Sequence, residues 1–384
     1  MIEKIKALHI ASFIGNVGDN ANHYGFRQMM SEFVSKEIEY TEIEIREFYK
    51  LWNLRSFNSD DFINECNNHD LVIIGGGNFF ELKWDYSNTG TTIDISIETL
   101  KKIRTPIFFN ALGCDVEKGV SETTKNNFER FLDHITRSDQ FFVSVRNDGS
   151  YQTLQTLYGD KFNLGIKHIA DGAFYFKPEP VSYNGYFENR KFIGVNIASD
   201  MKDVRFNNLS FDSFILEFSN FLNEIIREYI EYDIIFFPHI HSDLEAINNV
   251  FKGIDDVFLR TRLIVAPYFL GAGAEEYIFE MYRNCDLIMG MRFHTNVCAI
   301  ARDIPTLGLS SYRKIEFLYK ELSLEDRYVN VNANGFRREL KSKFDESMIK
   351  LKDISKAYKI LNFKLRDDGE QYFKTISEWY RRNI

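Results

Sequence analysis

The feature that most constrains the fold of this chain is a regular alternation of short apolar runs with stretches of helical periodicity along its whole length. That alternation is the pattern of βαβ units, and it predicts an α/β protein with parallel sheets. Strands are expected at 7–13, 43–48, 71–74, 107–111, 141–145 and 169–171 in the first half, and at 192–196, 234–238, 262–265, 287–290 and 306–309 in the second. A chain of 384 residues is too long for one ordinary core, so each half is expected to carry its own sheet. The polar stretch Lys177–Gly185 separates the two sets, because Pro178, Pro180 and Gly185 continue neither a helix nor a central strand. The expected organisation is a first domain over 1–180, a second over 186–350, and a tail over 351–384 of one or two helices that packs back on the first domain.

Composition narrows the class. A formal charge of -9 argues against a general nucleic-acid binder, which needs concentrated Lys and Arg to neutralise phosphates. Cys66, Cys114, Cys285 and Cys298 are scattered without a CxxC pair, which fits a reduced, cytoplasmic protein without a zinc site. No segment reaches the roughly 18 to 20 apolar residues of a membrane span, so any membrane contact is expected to be peripheral.

The stretch Gly290-Met291-Arg292-Phe293-His294-Thr295 carries the sharpest chemical signal. An apolar strand hands over there to a helix, whose first N–H groups and dipole favour an anion. Arg292 and His294 add a cation and a proton donor, and Lys314 follows in the same strand-helix-strand unit. Gly15-Asn16-Val17-Gly18-Asp19-Asn20-Ala21 follows the first strand and opens a helix, which makes Asp19 either a helix cap or a base or sugar-hydroxyl acceptor. The three glycines Gly75, Gly76 and Gly77 end an apolar run and are expected in a ligand-facing or interdomain loop. Arg146 ends another apolar run, where a guanidinium can clamp a carboxylate or phosphate. His239 and His241 form an HxH pair without a third ligand nearby, so a cleft loop is expected there rather than a metal site.

Taken in order, GNVGDNA, VIIGGGN, SVRNDGS, ADGAF and MRFHTNVCAIARDIPTLGLSSYRK resemble the polysaccharide pyruvyl transferase family over about Leu8 to Phe317. The resemblance implies a GT-B-like pair of Rossmann-like domains facing a cleft. It also implies transfer of the enolpyruvyl unit of phosphoenolpyruvate onto two hydroxyls of a sugar, giving a cyclic pyruvate ketal and phosphate in surface polysaccharide synthesis. Arg146, Arg292 and Lys314 would bind the dianionic donor together with Asn16 and the glycines at 75–77, His294 would protonate its methylene carbon, and Asp19 would take the hydroxyl proton. No metal or redox cofactor is required. The acceptor sugar would be carried by a nucleotide, a lipid diphosphate or an oligosaccharide. Three positions depart from the family pattern: Asn147 replaces an Asp, Asp303 stands where Gly is common, and Tyr312 lies one position later than the usual tyrosine. A nucleotide-sugar glycosyltransferase of the GT-B type and a non-catalytic glycan- or phosphate-binding protein are the competing readings.

Overall fold

The computed structural model describes residues 4–34, 36–183 and 185–383. Two compact units emerge, each built on a six-stranded sheet whose paired strands all run parallel. The first unit holds β1 (Ile5–Ala11), β2 (Ile38–Glu44), β3 (Leu71–Glu81), β4 (Ile107–Asp115), β5 (Phe141–Arg146) and β6 (Ile166–Ile169), in the order β2-β1-β3-β4-β5-β6. The second holds β7 (Lys191–Asn196), β8 (Tyr232–Phe236), β9 (Leu263–Val265), β10 (Cys285–Gly290), β11 (Thr306–Ser310) and β12 (Tyr328–Asn330), in the order β12-β11-β10-β7-β8-β9. Both are doubly wound orders, and each reverses direction at one point of the sheet, between β1 and β3 and between β7 and β10. In open α/β sheets the crevice beyond the strand C-termini at that switch point is where ligands bind.

Continuous apolar sequences make these strands because both faces of a doubly wound sheet lie under helices. β4 and β5 are buried along their whole length. One side of the first sheet packs Leu8, Ile74, Phe109 and Val143 against Phe80, Phe128 and Phe131. The other packs Ala7, Ile73, Phe108 and Phe142 against Phe26 and the aromatic residues Tyr372, Phe373, Trp379 and Tyr380.

The structure differs from the sequence reading in several places. Residues 43–48 divide between the end of β2 and a short 3-10 helix, Ile45–Phe48. β12, three residues long, has no counterpart among the expected strands. The unit boundary falls between Tyr175 and Phe176 rather than near 180, and Gly15–Ala21 belongs with the second unit. The tail is a helical run, Phe336–Asn383, with a break at Lys350 (φ -106). Its Phe336, Leu340 and Phe344 enter the second unit's core, and Leu365–Ile384 belongs to the first unit.

Gly75, Gly76 and Gly77 correct an expectation, because they lie inside β3 rather than in a loop. A Cβ on Gly75 would come within 2.2 Å of the Asn110 carbonyl oxygen, and one on Gly76 within 2.5 Å of the Asn22 amide. Close backbone approach to β4 and to the helix Val17–Phe33 therefore accounts for these two glycines without a ligand. Asp303 is also accounted for: its φ of +59 is a left-handed conformation that glycine adopts freely and aspartate tolerates, and its carboxylate accepts a hydrogen bond from Asn362 Nδ2 at 2.7 Å.

Candidate functional site

The switch point of the second sheet is densely built. Asn196 ends β7; its Oδ1 accepts the backbone N–H of Arg292 at 3.0 Å and its Nδ2 donates to the Phe237 carbonyl at 2.9 Å. This fixes the turn between β10 and the helix Phe293–Ile300. Asn296 holds the same turn from inside, donating to the Gly290 and Arg292 carbonyls, while Tyr319 donates to its Oδ1 at 2.8 Å. Arg292 is the N-cap residue of that helix and contributes no side-chain cap; Tyr312 stands in the same relation to the next helix, Arg313–Glu321. Two helix N-termini thus open side by side in sequence order at one sheet edge, each favouring an anion.

Arg292 itself is not an open anion clamp. Its Nε donates to Asp243 Oδ2 at 2.7 Å, and its Nη2 reaches Asp200 Oδ1 at 2.8 Å and Asp243 Oδ1 at 2.5 Å. Burial lowers a guanidinium pKa, but the two carboxylates more than offset that and raise it. Burial likewise disfavours the Asp200 carboxylate, and Arg292 with Arg205 reverses the effect and lowers its pKa. Arg205 Nη2 lies 3.6 Å from Asp200, and its Nη1 donates to Ser311 Oγ at 3.3 Å. Two arginines and two aspartates leave this chain of charges formally neutral. Lys314 is half-buried, with its Nζ 5.9 Å from the centre of the Tyr312 ring.

His294 sits in the first turn of Phe293–Ile300, and its Nδ1 lies 3.6 Å from Asp19 Oδ1. The approach depends on Gly18, because a Cβ there would stand 2.5 Å from the His294 Cβ. Asn16 Oδ1 accepts the Gly18 N–H at 3.0 Å, so Asn16 shapes the turn that delivers Asp19. Beside it, Asn20 Nδ2 donates to the buried Glu275 at 3.2 Å, and burial raises the pKa of that carboxyl.

In the first unit, Arg146 is enclosed in the same manner and more deeply. Its Nε donates to Asp148 at 2.8 Å and its Nη1 to Asp171 at 3.1 Å, with both carboxylate side chains fully buried and Arg146 5% exposed. Asp171 also accepts from Asn22 Nδ2 and from the Ala173 N–H, both at 3.0 Å. Arg146, expected to bind the donor anion, is thus engaged in buried ion pairs with Asp148 and Asp171. Asn147 belongs to that framework, since its Oδ1 accepts the Asp171 N–H at 2.9 Å. His239 and His241 do not converge: His239 is fully buried and bonded to the Tyr282 hydroxyl at 2.8 Å, while His241 opens the exposed start of His241–Phe251.

Residues 7–312 match the sequence model of the polysaccharide pyruvyl transferase family. The chain belongs to this family. Membership makes it a transferase enzyme, a pyruvyl transferase of polysaccharide biosynthesis with a sugar acceptor. Among curated proteins no relative matches the chain. Solved structures share its GT-B-like architecture of two Rossmann-like units. A putative UDP-N-acetylglucosamine 2-epimerase from Listeria monocytogenes has a TM-score of 0.54 at 11% identity, covering 94% of this chain and 91% of its own. MnaA of S. aureus in complex with UDP scores 0.55 at 10% identity, over 92% and 91% of the two chains. A glycosyltransferase from Rickettsia africae scores 0.55 at 10% identity, over 99% of each. At such identities the likeness concerns the fold alone. The candidate site of this chain lies at the C-termini of β7 and β10. Its carboxylates Asp200 and Asp243 come from other βα units than Arg292, and no local pattern in the sequence marks them. Among the described residues no helix is long and apolar enough to cross a membrane.

Proposed function

We propose that the enzyme transfers the enolpyruvyl group of phosphoenolpyruvate to two hydroxyls of a sugar, forming a cyclic ketal and releasing phosphate. The observation that carries this reading is the contact between Asp19 and His294 at the start of Phe293–Ile300, beside Arg292. A carboxylate beside one ring nitrogen orients the imidazole and leaves the other nitrogen to exchange a proton. His294 protonates the methylene carbon of the donor, and C2 becomes electrophilic beside the ester oxygen. One sugar hydroxyl then bonds to C2 and its proton returns to the neutral imidazole. The C2–O bond to phosphate breaks, the second hydroxyl closes the ring, and its proton leaves with the phosphate.

Asp19 enters this scheme as the support of His294 rather than as an isolated base. The donor's negative charge is met by the two uncapped helix N-termini, by Lys314 and by Arg292. Arg292 can meet it by exchanging a partner. Asp243 is fully buried and fixed, whereas the Asp200 side chain is 27% exposed and is the carboxylate an incoming anion displaces.

The test is incubation with phosphoenolpyruvate and a panel of sugar acceptors, following phosphate release and acceptor mass. An acceptor gaining the mass of a pyruvate ketal is the expected result. Turnover of nucleotide sugars without any response to phosphoenolpyruvate would reject the reading in favour of a glycosyltransferase. His294→Ala is expected to abolish turnover while leaving donor binding largely in place, and unchanged turnover in that variant would remove it from the mechanism.

A further inference from the structure

The segments after β2 and after β3 enclose a cavity of about 620 Å³ in the first unit, a size typical of small-ligand sites. Its lining mixes aromatic faces with polar groups that the fold leaves uncommitted. Phe48 and the buried Phe57 stack at 4.0 Å and form an apolar base. Trp84 and Tyr86 stand with ring centres 5.7 Å apart and planes inclined by 59°, and Tyr86 is 44% exposed. Lys50 Nζ lies 3.2 Å from the Tyr86 ring centre, bringing a cation to the same face.

The polar groups are presented rather than consumed. Asn53 is held in a left-handed turn (φ 50) by its own N–H, which donates to the Tyr49 carbonyl at 2.7 Å. Its exposed carboxamide has no hydrogen-bond partner among the described residues. Asp94 commits Oδ1 to the N–H and Nδ2 of Asn88, both at 2.7 Å, and its Oδ2 has no hydrogen-bond partner among the described residues. A purely apolar ligand would leave these groups unsatisfied, at a cost. A strongly anionic one would meet Asp94 and find Arg55 already paired with Glu47 and Glu65.

A neutral sugar ring satisfies both halves of the lining. Its C–H face packs on an aromatic ring, and its hydroxyls both donate and accept, suiting a carboxylate oxygen, a carboxamide and an ammonium within one cavity. We infer that this cavity is a glycan subsite, taking a neutral hexose ring of the acceptor, an inference that rests on the acceptor half of the proposed reaction.

Saturation-transfer NMR with the methyl glycosides of galactose, glucose, mannose and N-acetylglucosamine tests it on the full chain. At least one glycoside is expected to bind the wild type, with its affinity lowered about tenfold or more by Tyr86→Ala and kept within about twofold by Tyr86→Phe. Because Tyr86 is half-exposed, Tyr86→Ala is expected to fold, and an unchanged thermal midpoint checks that. Binding of none of the four glycosides, or binding that survives Tyr86→Ala, overturns the subsite. Phosphate release from phosphoenolpyruvate, followed on the same samples with the acceptor panel, separates the two readings. Glycoside binding lost in Tyr86→Ala without any phosphate release from the wild type rejects the ketal reaction and leaves the subsite standing. Phosphate release at limiting acceptor that is equal in wild type and Tyr86→Ala rejects the subsite and leaves the reaction.

Discussion

Asp243 sets the position of Arg292, and its energetics follow from where it lies. The carboxylate is fully buried, it accepts two hydrogen bonds from Arg292, and it also accepts the His239 N–H at 2.9 Å. Removing one partner of such a pair strands a buried charge, so Asp243→Ala is expected to cost about 3–5 kcal/mol in chemical denaturation. Asp200→Asn should act in the opposite direction on function. With the competing carboxylate gone, Arg292 is more available to the donor, and a lower KM for phosphoenolpyruvate at an unchanged or lower kcat is the expected result; a raised KM would show that Asp200 itself organises the site. Two buried histidines give the protein a pH dependence. His9 accepts from Arg27 on Nδ1 at 3.0 Å and donates from Nε2 to the Gly75 carbonyl at 2.9 Å, so it is held neutral, and burial lowers its pKa well below 6.5, as it does for His239. The unfolded chain binds protons near pH 6.5 that the folded one refuses. Stability is therefore full above that value and falls as pH drops toward the depressed folded-state values, by up to about 1.4 kcal/mol per unit for each group. Denaturation midpoints at pH 7.5 and pH 5 should show the loss, and His9→Gln should reduce it.

Among the elements, β3 shows both what the sequence discloses and what it hides. Its apolar core, Leu71–Ile74, is legible because a strand covered on both faces needs an unbroken apolar run. Its continuation through three glycines is not, since glycine is a poor strand former in isolation and the reason for it lies across the sheet in Asn110 and Asn22. Gly75→Ala is accordingly expected to destabilise the first unit severely, by about 2 kcal/mol or more, because its φ of +129 is closed to alanine and the clash is with backbone. A midpoint within about 0.5 kcal/mol of wild type would mean that β3 relaxes locally. β2 is displaced in the sequence reading for a different reason: residues 38–42, Ile-Glu-Tyr-Thr-Glu, are mostly polar and lie at a sheet edge, a weaker signal than the apolar residues that follow. The placement of Arg292 and His294 at a helix start is legible because strand, turn and helix follow one another in sequence there. Asp200 and Asp243 could not, as each is an ordinary aspartate in its own segment and acquires meaning only when β7, β8 and β10 pair.

On the scale of the whole molecule, the first unit is assembled from separate stretches of chain. Tyr372 donates to Ser144 Oγ at 2.6 Å, and Trp379 Nε1 donates to the Asp139 carbonyl at 2.6 Å, closing one side of the first sheet. Trp379→Ala removes a nearly buried indole and this bond together, and a loss of about 3–5 kcal/mol is expected in thermal or chemical unfolding. Asp139 and Trp379 lie 240 positions apart, and at about 5 to 20 residues per second the second emerges from the ribosome on the order of ten seconds or more after the first. Throughout that interval Phe26, Phe108 and Phe142 lack the cover of Tyr372, Phe373 and Trp379, and the nascent sheet offers an apolar face to chaperones and to its neighbours on the same message. The domain translated first is thus completed only after the second has been made, so slow translation or premature termination within the second half exposes the first half to aggregation.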